Sequence, residues 1–357
     1  MAMTLIVSLL NGLIISFGTA KICKRPSLLR LAPVKLASER TENERLLVAD
    51  VSATIGIRII TTGVEGYALL EKGNQSQIAL HREITRVCES VKRLRTKAQK
   101  YEAETVVVVG TEALRRIAKT DIYKTSQLWQ NVDRILNARS EALYSLIAGS
   151  FSLSHNDTPR GNCLLIDQGF GSMEIAYGTL GPPVELQKYV SLDLGIERLL
   201  NNLASGKRDL NALKRDVSGY LDGLNLPVFK PDHAIVLGST ATKYAWLKLR
   251  QNENDKYSLK RIDGKRIQTE TLEEDWTKIT QLLPALGWTR VQEILFPDNP
   301  GGDDVKRLVA GIIPLAYLMN RFGRKNFVVS ALGTRYGLAF HIGLGHSAFF
   351  GSDSRSV

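Results

Sequence analysis

The chain has 357 residues, of which 44% are hydrophobic and 23% charged, close to the globular averages and outside the range of collagen-like, coiled-coil or wholly disordered chains. That length predicts two domains, or one large domain with additions. Lysine and arginine number 47 against 36 aspartates and glutamates, a formal charge of +11, which favours polyanionic partners and bears on steering rather than on fold. Cys23, Cys88 and Cys163 are too few and too scattered for a disulfide framework or a cysteine zinc site. They fit a reducing compartment, and the expected location is cytoplasmic.

Thr4 to Phe17 is a nearly uninterrupted apolar run followed by Lys21, Lys24 and Arg25. It falls short of the ~20 apolar residues of a spanning helix, and its charge follows the run where a signal peptide places it before. Membrane association through this run, a leader, a poorly ordered extension and a start codon called too early all stay open. Residues 1–45 are read as this apolar extension and a basic linker. From Leu46 the pattern is that of an α/β protein. Residues 46–53, 55–62 and about 67–70 read as a strand meander, and 83–102 carries Ile84, Val87, Val91, Leu94 and Ala98 at helical spacing. A buried strand then runs into a helix starting at Thr111, and 140–151 is a second helix. CLLID (163–167), QGFGS and MEIAYG (173–178) repeat the opening strand, turn and return strand. Helices follow near 196–202, 210–221, 272–282 and 305–321, with strands at 234–238 and 326–330, a charged insertion at 250–265, and a last helix from Gly333. The expected organisation is two similar α/β domains, 46–155 and 156–345, facing a central cleft, with a tail at 346–357.

Both repeats end an apolar strand in aspartate and then turn on small residues. Asp50 precedes Ser52, Ala53 and Thr54; Asp167 precedes Gly169, Phe170, Gly171 and Ser172; a third small-residue turn holds Gly238 and Thr240. Backbone N–H groups in such turns cradle phosphoryl oxygens, and the aspartate can hold Mg²⁺ directly or through water. Singly each is an ordinary β-turn. Their repetition favours a shared phosphate cleft.

These residues carry a resemblance to the Ppx/GppA family of exopolyphosphatases and guanosine pentaphosphate phosphatases, within the actin-like ATPase-domain superfamily, over about Leu46 to Ile342. DVSATI at Asp50 resembles the family's first phosphate motif, and VGTEALRR its Thr-x-x-x-Arg segment, which places Thr111 and Arg115. ILNARSEALYSLIAG puts Glu141 on the glutamate that serves the family as catalytic base, and DQGFGSME is similar to Asp-Ile-Gly-Gly-Gly-Ser-Thr-Glu, which adds Glu174. SLDLGIERL, VLGSTATKYA, DDVKRLVAGI and SALGTRYGL follow in the family's order. The resemblance implies two actin-like (ribonuclease H-like) domains in the short form of the family. It implies hydrolysis of inorganic polyphosphate or guanosine pentaphosphate, with Glu141 activating water, Arg115 adding fixed charge, and Mg²⁺ at Asp50, Asp167 and Glu174.

Three positions depart from the pattern: Ser52 and Phe170 stand where the phosphate turns have glycine, and Tyr336 stands for a glutamate. They supply the alternative reading, a catalytically weak or inactive member that binds nucleotide or polyphosphate as a sensor. A homodimer stays open. His341 and His346 lack a third ligand, and the basic stretch Lys92 to Lys100 lacks the interleaved aromatics of a nucleic-acid surface, so nucleic acid is not the expected partner.

Overall fold

A computed structural model describes residues 2–10, 13–21, 35–41, 44–51, 57–64, 77–100, 107–118, 130, 132–153, 159–181, 183–204, 209–227, 230–250 and 257–343, with side chains only from His81 onward. The chain divides into two compact units, one of Met1–Thr158 with Leu332–Val357, the other of Pro159–Ala331.

The first unit opens with strands β1 (Ala2–Leu10), β2 (Leu13–Lys21), β3 (Lys35–Thr41), β4 (Glu44–Val51) and β5 (Ile57–Val64). Helix α1 (Gln77–Lys100), strand β6 (Val107–Gly110), helix α2 (Glu112–Ile117), the two-residue β7 (Arg134–Ile135) and helix α3 (Ala138–Leu153) follow. Its sheet runs β3-β4-β5-β1-β2-β6-β7. The expected pairing of the 46–53 and 55–62 segments is present, antiparallel, with Asp50 opposite Arg58. The expected third strand of that meander, at 67–70, lies outside the described residues.

The N-terminal run departs from the expectation of an extension. Its two halves are antiparallel strands, Ile6 opposite Phe17, with β1 parallel to β5 and β2 antiparallel to β6. A charge-free run rich in Ile, Leu and Val suits an interior strand as well as a membrane segment, and the Asn-Gly dipeptide at 11–12 between the halves is a hairpin signal. Among the described residues no helix is long and apolar enough to cross a membrane.

The second unit holds strands β8 (Gly161–Gln168), β9 (Met173–Leu180) and β10 (Glu185–Leu192), helices α4 (Ile196–Ala204) and α5 (Leu210–Asp222), and strand β11 (His233–Gly238). It continues through α6 (Ser239–Leu249), α7 (Leu259–Ile262), β12 (Arg266–Gln268), α8 (Glu270–Leu295), α9 (Asp304–Arg321) and β13 (Asn326–Val329). The sheet order is β10-β9-β8-β11-β13-β12. The first three strands form an antiparallel meander, β8, β11 and β13 are parallel, and β12 closes the edge antiparallel. Cys163–Ile166 and Ala234–Leu237 are wholly buried, as parallel strands covered on both faces require. Strand β10 was not among the expected elements, because only Leu186 and Leu192 of it are buried, Val190 is half-buried and the rest of its residues are exposed. Its run is too polar for an apolar-strand pattern. Helix α8 overruns the expected 272–282 and passes a non-helical Gly287.

Helix α9 is the centre of this unit. Val305, Leu308, Val309, Ile312, Leu315, Leu318 and Met319 are all buried, each such side chain contributing ~1.5–3 kcal/mol by removal from water. The Trp276 indole N–H donates to the Val309 carbonyl at 3.0 Å, so a buried ring keeps its polar tip satisfied.

A final helix, α10 (Thr334–Gly343), returns to the first unit, where the sequence had assigned 332–345 to the second domain. The reason is its fit against α3, whose buried residues, Tyr144 and Leu146 apart, are the small Ala142, Ser145, Ala148, Gly149, Ser150 and Ser152. Small side chains let the helices approach until Ser145 and Thr334 share a 2.7 Å hydroxyl contact. A methyl group on Gly337 would lie 1.7 Å from the Tyr144 carbonyl oxygen. Gly337→Ala is therefore expected to lower stability by ~1–3 kcal/mol through overpacking, read as a fall in the urea midpoint at unchanged slope.

Candidate functional site

In the first unit, β6 delivers the chain to Thr111, which is buried and extended and precedes α2. One turn into that helix, Arg115 donates from Nη1 to the Glu141 carboxylate at 2.7 Å and to the Leu136 carbonyl at 2.7 Å. Its Nε and Nη2 donate to Glu112 at 3.1 and 2.8 Å. Burial pulls the Arg115 pKa down, but the two carboxylates, Glu141 ahead of Glu112, outweigh it and leave the guanidinium above its ordinary value. Glu141 reaches this place because Asn137 starts α3: its side chain accepts from the Ser140 N–H at 2.8 Å and its carbonyl from the Glu141 N–H at 3.0 Å. A carboxylate in the first turn also lies favourably in the helix dipole. Arg115 and Glu141, proposed separately from sequence, are thus one ion pair. Glu112 is the third member that sequence reasoning passed over, although it stands three residues before Arg115 on the same helix.

In the second unit, Asp167 and Glu174 are cross-strand partners at the end of the β8–β9 hairpin, so both carboxylates leave the sheet on one face. Glu174 is 2% exposed. It accepts from the Ser172 hydroxyl at 2.7 Å and from the Ser191 hydroxyl, on β10, at 3.0 Å. The Gly169 N–H donates to the Ser172 carbonyl at 3.0 Å and is consumed in closing the turn. Ile196 and Glu197, at the start of α4, donate their N–H groups to the carbonyls of Gly169 and Phe170. A Cβ on Gly195 would fall 2.3 Å from the Phe170 carbonyl oxygen, so only glycine brings α4 this close. The Phe170 ring lies under the Arg307 guanidinium of α9, 5.4 Å from centroid to carbon.

Gly238 closes the third turn with φ 103, and a Cβ there would meet the Gln168 carbonyl oxygen at 2.2 Å. Both facts demand glycine. Thr240 and Gln168 are buried beside it, and Lys243 in the same helix pairs with Asp304 at the start of α9. Asn299 also donates to Asp304, at 2.9 Å. Burial alone would raise the Asp304 carboxyl, but Lys243 and Asn299 hold it below the ordinary carboxylate range.

Not every expected site residue is accounted for. Ser52, Ala53 and Thr54 lie outside the described residues, and of Asp50 the backbone alone is described, in β4 opposite Lys35 and Arg58. Among the described residues no cluster of three His, Cys, Asp or Glu forms. The described part of the expected metal set is therefore the Asp167–Glu174 pair. Two oxygen ligands on one face fit Mg²⁺, which keeps several waters and takes further oxygens from a phosphate substrate. Tyr336 is a fully buried ring in α10 with the Arg335 guanidinium over it.

A profile of the Ppx/GppA phosphatase family matches residues 47–343. The chain belongs to that family. Among solved structures it is similar to the Aquifex aeolicus Ppx/GppA family member, at 16% identity and a TM-score of 0.63, with 96% of this chain and 98% of that one covered. It is also similar to a type II variant of the Aquifex aeolicus Ppx/GppA phosphatase (18%, 0.60, 94% and 97%) and to an exopolyphosphatase from Cytophaga hutchinsonii (14%, 0.59, 96% and 98%). Likeness at such identities shows a shared fold. No curated protein matches the chain. In this Ppx/GppA chain the aspartate, serine and glutamate of the DQGFGSME block sit together on one hairpin, with Phe170 at its tip.

The Lys243–Asp304 pair joins the α6 turn to α9, and its contribution depends on pH with a definite sign. A depressed carboxyl contributes stability above its unfolded pKa of ~3.9 and loses it as pH falls through the folded value. Asp304→Asn should cost ~1–3 kcal/mol at neutral pH by leaving a half-buried lysine without its acid. The variant and wild-type unfolding midpoints should converge on acidification toward pH ~2, well below that unfolded value.

Proposed function

We propose that this protein is a phosphoanhydride hydrolase, built on two actin-like (ribonuclease H-like) domains, that releases terminal phosphate from inorganic polyphosphate or guanosine pentaphosphate. The observation that carries the reading is the Arg115–Glu141 ion pair, in a chain of the Ppx/GppA family. The order of the second sheet, an antiparallel meander leading into parallel strands, supports the domain assignment.

Such hydrolysis needs little covalent chemistry from the protein: the terminal phosphoryl must be held, its charge offset and one water aligned for in-line attack. Glu141 takes the proton from that water as its oxygen bonds to phosphorus and the bridging P–O bond breaks. Arg115 acts mainly by holding Glu141, since its donors are largely committed to Glu141, Glu112 and the Leu136 carbonyl. Thr111, Ser52, Ala53, Thr54, the hairpin residues Gly169, Phe170, Gly171 and Ser172, and Gly238 with Thr240 are proposed to hold phosphate. Gly169 contributes turn shape, its N–H being spent on Ser172. Asp167 and Glu174, with Asp50, would hold Mg²⁺, which when bound offsets charge on the phosphoryl oxygens. The net charge of +11 steers the polyanion toward the protein.

Phosphate release is measured with long-chain polyphosphate and with guanosine pentaphosphate, each with and without Mg²⁺. Release from either that disappears on chelation is expected. Glu141→Gln should keep substrate binding and lower kcat by ~10²- to 10⁴-fold, the size of a general-base contribution. Joint loss of binding and folding would instead make Glu141 a structural residue of the helix start, and a wild type that binds polyphosphate without turnover would leave a sensor.

A further inference from the structure

Arg307 lies one turn beyond Asp304 in α9. Its side chain is 25% exposed, and its nearest acid is Glu197 in the first turn of α4, at 3.5 Å. That is an ion-pair distance, longer than a hydrogen bond. Its Nε is buried, and no partner for it exists among the described residues. Asp304 is engaged by Lys243 and Asn299. A largely buried guanidinium with its Nε–H unpartnered is unfavourable until something supplies an acceptor.

Phe170 explains how the group is kept in place. A ring face attracts a guanidinium through its quadrupole and consumes no N–H donor, so the contact at 5.4 Å holds the group over the ring and leaves its N–H donors for another partner. The backbone that carries the ring is itself anchored, because the Phe170 carbonyl accepts from the Glu197 N–H at 3.1 Å. A planar fork of N–H donors matches phosphate oxygens in a way that an ammonium cannot. We propose, resting on the phosphoanhydride reading above, that Arg307 on its Phe170 platform is a specificity-determining phosphate contact beside the β8–β9 hairpin. It holds a phosphate of the polyanion that is not itself cleaved, since neither Phe170 nor Arg307 can activate water and Glu197 is turned to the guanidinium. The loss of a family glycine at Phe170 thereby adds an anion contact to the turn.

Arg307→Ala, Arg307→Lys, Phe170→Leu and Glu197→Gln are compared with wild type for KM and kcat on long-chain polyphosphate, for inorganic tripolyphosphate binding by calorimetry, and for Tm. Arg307→Ala should raise KM and the tripolyphosphate Kd about 10-fold or more with kcat within about 2-fold, the pattern of a contact made equally in ground and transition states. Arg307→Lys should recover only part of this, because it keeps charge without fork or stack. Phe170→Leu should raise KM less, and add little in combination with Arg307→Ala, as expected of two residues acting as a unit. Glu197→Gln separates binding from scaffolding: it removes the acid that competes for Arg307, so KM should stay level or fall. If Arg307→Ala and Glu197→Gln both lower Tm while KM and Kd are unchanged, the cluster is only a latch between α4 and α9 and the proposal is overturned. If wild type neither binds nor hydrolyses either polyphosphate, the functional reading fails and takes this one with it; turnover by wild type with an unmoved KM in Arg307→Ala defeats this inference alone.

Discussion

The hairpin between β8 and β9 is closed by the Gly169 N–H bond to the Ser172 carbonyl, and two other chain segments reach its backbone because they carry no Cβ at the point of approach. Gly195 brings in the start of α4, and Gly238 brings in the end of β11, whose parallel pairing with β8 runs down to Gln168. Peptide groups this near one another must be mutually hydrogen-bonded or strained, and the N–H groups of Ile196 and Glu197 provide the bonds. Most of what the second unit offers for chemistry is hung on this knot. Ser172 and Glu174 belong to it, Ser191 reaches Glu174 from the neighbouring strand, and the Phe170 backbone is tied to α4 while its ring lies under Arg307.

The two units hold their key carboxylates by different physics. Glu141 is paired with a full positive charge on a guanidinium whose own burial is offset by a second acid, Glu112. Removing one member would leave an uncompensated charge in a partly desolvated place. Glu174 is held by two serine hydroxyls. Hydroxyl dipoles satisfy its oxygen without cancelling its charge, whereas the guanidinium offsets the charge of Glu141 as well as fixing its direction.

Legibility in the sequence followed the length over which a signal is summed. Strands β8, β9, β11 and β13 and helices α3, α5 and α9 stand close to where apolar period and turn residues predict them. Strand β10 did not, because an edge strand with two buried leucines carries little apolar signal. The N-terminal run was not read as a strand for the opposite reason: it is apolar at nearly every position, without the alternation that marks one. Its pairing with β5 and β6 makes it two strands, and pairing is a property of distant segments.

For the site, strand-terminal aspartate before small residues drew attention to Asp167, whereas Arg115, Glu141 and Glu174 were named through the resemblance to the Ppx/GppA family blocks. What the sequence by itself determined is the α/β class and the family, both of which are written in local patterns. Only the tertiary structure decided that Arg115 is committed to Glu112 and Glu141, that Ser191 from the neighbouring strand steadies Glu174, that Leu332 onward belongs with the first unit, and that Phe170 carries Arg307. Apart from the Arg115–Glu112 contact within one helix turn, each of these depends on a distance between residues far apart in the chain, and no local pattern encodes such a distance.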